Sequence, residues 1–151
     1  MQRFKDRVVL VTGAGGGIGQ ASAQRVSREG GAVFCVDLNE AAAQATVEAI
    51  SAEGGNAAAR ACDISDEAAV RQCVADCVER FGSLYALVNM AGVLRFDDTE
   101  QLSLAAWQKI IDVNLTGTML LCREVLPHLV ASGGSIVNAA STAALSGLPC
   151  G

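Results

Sequence analysis

Residues 8–19 read VVLVTGAGGGIG, a stretch in which an apolar run gives way to glycines. The run from Val8 to Val11 is β-branched or aliphatic throughout, which is typical of a strand buried on both faces of a sheet. The turn that follows contains four glycines, Gly13, Gly15, Gly16 and Gly17. Without Cβ atoms, such a turn lets the backbone approach a ligand closely. Residues 18–29 then have helical spacing, and a helix N-terminus behind a glycine turn binds anions such as a pyrophosphate.

An acidic residue supports this interpretation. A second apolar run, residues 32–36, ends at Asp37, which lies 18 residues after Gly19. A carboxylate at this distance, at the end of the second strand, is placed to accept hydrogen bonds from an adenosine ribose. A helix cap or a loop carboxylate is the alternative. Because the charge of Asp37 would repel a 2′-phosphate, and neither Gly16 nor Leu38 supplies a cation, the sequence favours NAD over NADP.

Composition excludes several classes of protein. The chain has 151 residues, 51% of them hydrophobic and 18% charged, which fits one domain with a large core. The net charge of -5 and the absence of a basic patch argue against nucleic acid or an anionic membrane as a partner. No apolar run reaches the roughly 18 residues of a membrane span, and the first residues lack the apolar core of a signal peptide. We therefore expect a cytoplasmic protein.

The six cysteines do not have the spacing of a metal site. Cys35 and Cys62 end apolar runs, while Cys73 and Cys77 belong to the apolar stripe of an amphipathic helix, where free cysteine acts as a small hydrophobic residue. No C-x-x-C pair occurs, and the single histidine, His128, is remote from the cysteines in sequence. We predict no metal site and expect His128 to face solvent.

Strands and helices are predicted to alternate. The strands cover residues 8–12, 32–36, 56–62, 84–89 and 135–139, and the helices cover residues 18–29, 40–52, 66–81 and 104–131. Alternation with buried strands predicts an α/β fold, a doubly wound parallel sheet with helices on both faces and right-handed crossovers.

The long helix, residues 104–131, is apolar around most of its circumference. One face is predicted to contain Trp107, Ile111, Asn114, Thr118, Leu121, Val125 and Leu129. A second apolar face contains Leu115, Met119, Leu126 and Val130. Such a helix needs cover on more than one side, so we expect a second subunit and hence a homo-oligomer.

Taken together, the motifs resemble those of the short-chain dehydrogenase/reductases, as the N-terminal portion of that family and over the whole chain. The matching pieces are residues 12–19 (TGAGGGIG), Asp63, residues 89–92 (NMAG), Asn114 within DVNL, and Ser141 at the end of IVNAAS. The resemblance implies a Rossmann-type NAD-binding domain, residues 1–151, with strand order 3-2-1-4-5. It also implies hydride transfer between a nicotinamide and a secondary alcohol or ketone.

The resemblance implies a role for each matching residue. The pyrophosphate would be wrapped by Thr12, Gly13, Gly15, Gly16, Gly17, Ile18 and Gly19. The adenosine would be held by Asp37, Leu38, Cys62, Asp63 and Ile64, and the cofactor lined and the sheet braced by Asn89, Ala91 and Gly92. Asn114 would distort its helix and hold a water in a proton relay, and Ser141 would hydrogen-bond the substrate oxygen.

Each of these residues also has a structural alternative. Asp63 could begin the cap of the helix led by Ser65 and Asp66. Asn89 could be a turn residue, Asn114 a buried amide, and Ser141 one more small residue. Their joint order and spacing favour the functional interpretation.

Two departures from the family pattern affect the expected activity. Met90 stands where the family has a second asparagine, and the Tyr-x-x-x-Lys motif expected after Ser141 is absent from the 151 residues. Tyr85, the one tyrosine, lies near the start of the predicted fourth strand without a lysine at the required spacing. We therefore expect this chain to be an incomplete, cofactor-binding portion with little or no activity of its own.

Two alternatives to an NAD-dependent oxidoreductase stay open. One is a noncatalytic NAD-binding or assembly module, and the other is an NADP-dependent reductase of the same family. The segment SIVNA, residues 135–139, is predicted to be an uncovered edge strand on which another chain could pair. Local candidates for a substrate pocket are Leu94, Arg95 and Phe96.

Overall fold

The computed structural model describes residues 2–96 and 98–146, so residues 147–151 of the expected domain lie outside the described part. Five parallel strands form one sheet in the order β3-β2-β1-β4-β5, which confirms the predicted topology. The strands are β1 (Val8–Thr12), β2 (Ala32–Asp37), β3 (Asn56–Ala61), β4 (Ala86–Asn89) and β5 (Ser135–Asn138).

Helices cover both faces of the sheet. They are α1 (Gly17–Arg28), α2 (Glu40–Ala52), α3 (Glu67–Phe81), α4 (Leu104–Ile111) and α5 (Thr118–Ser132), and short 3-10 turns occupy Thr99–Gln101 and Thr142–Ala144. On one face α1 and α2 pack against the sheet, and on the other α3 and α5 do so. Alternate residues of β1 serve the two cores: Leu10 points to the α3–α5 side, while Val9 and Val11 point to the α1–α2 side.

The helix predicted over residues 104–131 is present, but it is not one regular α-helix. A π-helical segment, Asp112–Gly117, separates α4 from α5. Because a π turn bonds residue i to i+5, it shifts the face that later residues present. The predicted first face is therefore divided: Leu121, Val125 and Leu129 are buried, whereas Trp107 is 51% exposed.

The second apolar face is exposed in the single chain. We call it the outer face of α5; it contains Met119, Leu126 and Val130 of α5, together with Leu115 of the preceding π segment. The exposed fractions run from 47% for Met119 to 76% for Val130. The strand β5 lies at the edge of the sheet among the described residues, and Val137 on it is half exposed.

Local chemistry accounts for the helix ends. Asn39, Asp66 and Ser103 accept backbone N–H bonds as N-caps of α2, α3 and α4. Gly82 and Gly133 end α3 and α5 in the left-handed conformation, which glycine adopts without steric cost.

The cysteine stripe of α3 is confirmed, because Cys73 and Cys77 are buried in the core. His128 does not simply face solvent: it is half-buried and lines a shallow hollow with Val78 and Leu84. Within the described ranges, no helix has the length and apolar content needed to cross a membrane.

The carboxyl ends of the strands position the site. The strand order reverses between β1 and β4, since β1 leads outward to β2 and β3 while β4 leads to β5. At such a switch point the loops after the two strands diverge and leave a crevice, where open α/β sheets bind ligands.

Candidate functional site

The glycine turn after β1 has a closed base. Gly13 adopts φ +64°, and a Cβ there would lie 2.9 Å from the backbone nitrogen of Ala91 in the loop after β4. A Cβ on Gly19 would lie 2.1 Å from the carbonyl oxygen of Gly13. Glycine is therefore required at both positions, because α1 and the β4 loop pack directly on the backbone of the turn.

The rim of the same turn is open. A Cβ built on Gly16 or Gly17 would meet no atom within 4 Å, and the Ile18 side chain is 74% exposed. No side chain caps the N-terminus of α1, in contrast to α2, α3 and α4. The first N–H groups of α1 therefore face a space that an anion can enter.

Asp37 stands beside this turn at the end of β2. Its Oδ2 accepts a hydrogen bond from the Gly15 backbone N–H at 2.9 Å, and its Oδ1 accepts one from the Asn39 N–H at 3.0 Å. A carboxylate has about four lone-pair sites, so both oxygens can accept further donors. Asp37 thus stabilises the loop, as the structural alternative expected, and keeps the acceptors that a ribose diol needs.

A cavity of about 310 Å³ opens at the carboxyl ends of β1, β2, β3 and β4. Eight residues expected from the sequence to bind the cofactor line it: Gly13, Asp37, Leu38, Cys62, Asp63, Ile64, Ala91 and Gly92. Five further residues line it that the sequence analysis missed: Val36, Met90, Val93, Lys109 and Val113. Adjacency to predicted residues could have identified Val36, Met90 and Val93, whereas Lys109 and Val113 come from a distant segment that only tertiary packing brings here.

Asp63 forms part of the cavity wall and does not cap a helix. Its Oδ1 accepts bonds from the Ser65 hydroxyl at 2.5 Å and from the Ser65 backbone N–H at 2.9 Å, while Asp66 caps α3. The Lys109 Nζ lies 3.6 Å from its Oδ2. The two Ser65 hydrogen bonds, followed by the Lys109 charge, lower the pKa of Asp63 below its ordinary value.

Thr12 and Asn89 are not among the residues that line this cavity, and their side chains connect strands. The buried Thr12 hydroxyl accepts bonds from the backbone N–H groups of Met90 and Ala91, both at 3.1 Å, and so ties β1 to the end of β4. The Asn89 Nδ2 donates to Asn138 Oδ1 at 2.8 Å and ties β4 to β5. Both side chains therefore connect neighbouring strands of the sheet. Of Thr12, only the backbone is then available to the glycine turn that follows it.

Asn114 lies in the π-helical segment and holds the loop after β4. Its Oδ1 accepts from the Val93 N–H and its Nδ2 donates to the Val93 carbonyl, both at 2.8 Å. The residue is exposed, so the alternative of a buried amide is wrong. Its own carbonyl accepts from the Thr118 hydroxyl at 2.9 Å. The helix distortion that the resemblance implied is thus present at this residue.

Ser141 follows β5 and is exposed. Its Oγ accepts a hydrogen bond from the Ala143 N–H at 3.1 Å, at the start of a 3-10 turn. The hydroxyl hydrogen is not used by that bond and can be donated to a ligand oxygen.

Comparison with known proteins decides the family. The family model described as short chain dehydrogenase matches residues 7–151. The chain belongs to the short-chain dehydrogenases.

This short-chain dehydrogenase is similar to several named relatives. It is 39% identical over 150 residues to the 3beta-hydroxysteroid dehydrogenase of Mediterraneibacter gnavus, covering 99% of this chain and 54% of that protein. It is 42% identical over 144 residues to the D-threitol dehydrogenase of Mycolicibacterium smegmatis, covering 94% of this chain and 55% of that protein. The chain therefore spans little more than half the length of these relatives.

A solved structure has the same architecture. NAD+-bound xylitol dehydrogenase superimposes on this short-chain dehydrogenase with a TM-score of 0.93 at 32% sequence identity. The match covers 98% of this chain and 58% of that chain. At this identity and coverage the likeness extends over all five strands and their helices.

No observation on the described residues supports a metal site. Among the described residues, no three His, Cys, Asp or Glu side chains form a group that could hold a metal ion. Burial raises the pKa of Cys35 and of Cys77 to about 12, so both thiols are neutral at neutral pH.

Proposed function

We propose that the chain is the cofactor-binding part of an NAD-dependent oxidoreductase that acts on a secondary alcohol or ketone. The observation that carries the proposal is the carboxylate of Asp37, held by the Gly15 and Asn39 N–H groups beside an open glycine turn. Bound NAD would supply the hydride acceptor at its nicotinamide ring. The residues of this chain bind and orient that cofactor.

Each part of the dinucleotide has a matching surface. The pyrophosphate fits the uncapped N-terminus of α1 at the open rim, where N–H donors and the helix dipole favour negative charge. The ribose fits beside Asp37, whose oxygens accept from its hydroxyl groups. The adenine fits the cavity, whose lining includes Val36, Asp63, Ile64 and Val113.

Charge favours NAD over NADP. The Asp37 carboxylate would repel a 2′-phosphate, and the adjacent Leu38 side chain is 70% exposed and apolar. The cation of the cavity, Lys109, is paired with Asp63. A 2′-phosphate beside Asp37 would thus lack a compensating charge, so an NADP-dependent reductase is the less favoured alternative.

Calorimetry with NAD, ADP-ribose and NADP tests this assignment. The folded protein should release or absorb heat with NAD and ADP-ribose and bind NADP more weakly. Asp37→Ala removes hydrogen bonds to a charged acceptor, which should weaken NAD binding by about tenfold to a hundredfold. Asp37→Asn keeps one acceptor oxygen and removes the charge, so it should narrow the gap between NAD and NADP. A folded protein that binds neither NAD nor ADP-ribose would contradict the proposal.

We assign the catalytic roles within this chain to Asn114 and Ser141. Asn114 holds the loop after β4 through Val93, and its position in the π segment suits a proton relay through a water. Ser141 donates its hydroxyl hydrogen to the substrate oxygen. The Tyr-x-x-x-Lys motif is not among the 151 residues, and loss of a positioned acid or base typically costs about 10² to 10⁴ in rate.

The 151-residue chain alone should therefore be nearly inactive. Incubation with NAD and a panel of secondary alcohols, followed by absorbance of the reduced nicotinamide, measures this directly. Sustained turnover by the isolated chain would show that other residues supply the acid or base.

The substrate we propose is a small molecule. Its local contacts would be Leu94 and Phe96, whose side chains are 78% and 61% exposed.

The exposed outer face of α5 favours assembly as a second property. We propose that a second copy of the chain covers it, because four apolar side chains at helical spacing are left in solvent. A noncatalytic NAD-binding or assembly module would use the cofactor site and the outer face of α5 without catalysing a reaction.

We also propose a cytoplasmic location, since the cysteines among the described residues are free thiols.

A further inference from the structure

Three cysteines lie together in the core on the α3–α5 side of the sheet. Cys62 follows β3, while Cys73 and Cys77 occupy successive turns of α3. Cys62 is 5% exposed and lines the cavity, whereas Cys73 and Cys77 are 0% exposed. Cys62 is therefore the thiol of this cluster that a small solute in the cavity can reach. The function proposed so far uses no thiol chemistry.

The side chains of Cys62 and Cys73 contact each other. The Cys73 thiol donates a hydrogen bond to the Cys62 sulfur. This bond, followed by the charge of Arg60, lowers the pKa of Cys62 below its ordinary value, although burial and the carboxylates of Asp63 and Asp66 oppose the shift. The same bond and burial raise the pKa of Cys73. The pair thus combines a thiol that ionises readily with a protonated neighbour.

Disulfide formation requires such a combination, because a thiolate attacks the oxidant and a neighbouring thiol then resolves the sulfenic acid. We propose that Cys62 and Cys73 form an oxidation site, in which a peroxide that enters the cavity oxidises Cys62 and Cys73 then closes a disulfide. The cross-link joins the end of β3 to α3. Transient disulfides of this kind are the ones found in cytosolic proteins.

Hydrogen peroxide accounts for the atoms and electrons of both steps. The Cys62 sulfur attacks one peroxide oxygen, the O–O bond breaks, and the leaving hydroxide takes the proton that Cys62 gave up and becomes water. The Cys73 sulfur then attacks the Cys62 sulfenic acid, the S–O bond breaks, and the hydroxide leaves as water with the Cys73 proton. Two thiols are oxidised to one disulfide, and one peroxide is reduced to two waters.

Peptide mapping tests the pair directly. Trypsin cleaves after Arg60, Arg71 and Arg80, so Cys62 and Cys73 fall in separate peptides, 61–71 and 72–80. The reduced chain is treated with hydrogen peroxide, its remaining thiols are blocked, and the digest is analysed by mass spectrometry. The wild-type protein should yield the two peptides joined by a disulfide.

Three alanine variants identify the partners. Cys62→Ala and Cys73→Ala should lose the linked peptides. Cys77→Ala is the matched control, because Cys77 lies on the same helix and in the same peptide as Cys73, and this variant should keep the link. In Cys73→Ala the oxidised Cys62 has no resolving thiol, so dimedone should capture its sulfenic acid.

Alkylation of the native wild-type protein by iodoacetamide gives an independent measurement. Cys62 should react about tenfold to a hundredfold faster than Cys35, whose pKa burial raises to about 12. The larger thiolate fraction of Cys62 outweighs the weaker nucleophilicity of a thiolate with a lower pKa. Equal rates would contradict the proposed reactivity of Cys62.

ADP-ribose tests the route through the cavity, and this arm alone rests on the proposed function. At about ten times its dissociation constant it leaves about one tenth of the sites empty, so cross-linking should slow about tenfold. If ADP-ribose binds and the rate is unchanged, the route through the cavity is overturned. If it does not bind, the proposed function fails, while peptide mapping still decides the thiol pair.

The mapping overturns the proposal in three cases: no linked peptides form, the link persists in Cys73→Ala, or the link occurs only between two copies of the chain on a non-reducing gel. Thermal unfolding under reducing conditions checks that the variants fold, and Cys73→Ser serves as a second variant.

Discussion

Gly16 and Gly19 lie three residues apart and are glycine for different reasons. A Cβ on Gly19 would lie 2.1 Å from the Gly13 carbonyl oxygen, far inside van der Waals contact, although the residue is in a helix. Gly16 has extended backbone, with φ -173°, and open space around its Cβ position. Packing thus requires glycine at position 19, whereas at position 16 it leaves open the space that we propose a ligand enters.

Gly19→Ala should destabilise the protein, and Gly16→Ala should not. Alanine in a helix gains about 1 kcal/mol over glycine, but overpacking against a backbone oxygen typically costs about 1–3 kcal/mol or more. The steric cost therefore wins at position 19. Gly16→Ala should change the free energy of unfolding by less than about 1 kcal/mol.

Urea unfolding gives the stabilities, and calorimetry with ADP-ribose gives the affinities. Gly16→Ala should bind ADP-ribose more weakly at nearly unchanged stability, because the new methyl group stands on the open rim. Equal stability of the two variants would contradict the packing that we describe for Gly19.

Glu29 is a buried carboxylate at the end of α1. It accepts hydrogen bonds from Arg3 and from Arg25, including one from Arg3 Nη2 to Oε1 at 2.7 Å. These two arginines, Arg3 first, lower the pKa of Glu29 from 4.5 to about 2. The contact between Arg3 and Glu29 joins the N-terminal segment to the end of α1.

This pKa shift predicts a loss of stability in acid. Since the pKa is lower in the folded state, its stabilisation is fully present above the unfolded value of 4.5 and is lost as the pH falls toward about 2. Glu29→Gln should flatten the pH dependence of the unfolding midpoint in this interval. Glu53→Gln is the control, because Glu53 and its partner Arg28 are half exposed and such pairs contribute little. A Glu29→Gln profile parallel to the wild type would contradict the prediction.

At the scale of elements, the connection from α4 to α5 departs most from expectation. Apolar spacing over residues 104–131 predicts one helix, and the chain remains helical throughout, yet the π segment Asp112–Gly117 interrupts it. The inserted turn directs Asn114 toward the loop after β4, where it bonds both backbone groups of Val93. A local irregularity of the helix thus holds a loop of the cavity.

Asn114→Ala should loosen that loop. It removes two hydrogen bonds at an exposed site, each contributing about 0.5–1.5 kcal/mol, so we expect a loss of about 1–2 kcal/mol in unfolding free energy. Hydrogen exchange at the Val93 amide should accelerate, since its acceptor is gone. Gln108→Ala removes only an exposed helical pair with Asp112 and should leave this amide protected. An unchanged hydrogen-exchange rate of the Val93 amide in Asn114→Ala would contradict the proposed role of Asn114 in holding this loop.

At the scale of the whole molecule, the sheet is covered by helices on both faces, but α5 carries apolar residues on its outer side as well. Leu126 and Val130 are 52% and 76% exposed, and they border a hollow that continues to Ile136 of β5. Contiguous apolar surface of this kind is characteristic of an interface.

The protein should therefore sediment as a dimer or a larger oligomer. The double variant Leu126→Glu, Val130→Glu places charges in the outer face of α5 and should produce monomers with an unchanged fold, because neither side chain belongs to the core. Ala75→Glu introduces a charge on the exposed side of α3 and should leave the association unchanged. A wild-type protein that is a monodisperse monomer at micromolar concentration would disprove the interface.

The alternation of strands and helices and the glycine turn could be predicted because both depend on local pattern, whereas the strand order was implied by the family resemblance. Buried strands read as continuous apolar runs, glycines mark backbone that must bend or approach closely, and alternation with helices leaves few topologies. Asp37 was found from its position at the end of a strand, whereas Asp63 and Ala91 were implied by the family resemblance. All three line the cavity because the carboxyl ends of parallel strands meet at one edge of the sheet.

Only the tertiary structure decided which distant side chains meet there. Lys109 of α4 lies 3.6 Å from Asp63, which follows β3, and Asn114 of the π segment accepts a hydrogen bond from the Val93 N–H after β4. Thr12 turned out to brace β4, and His128 to be half-buried. Periodicity in a sequence specifies which side of an element is apolar. The partner of each polar group is specified by the packing of elements far apart in the chain.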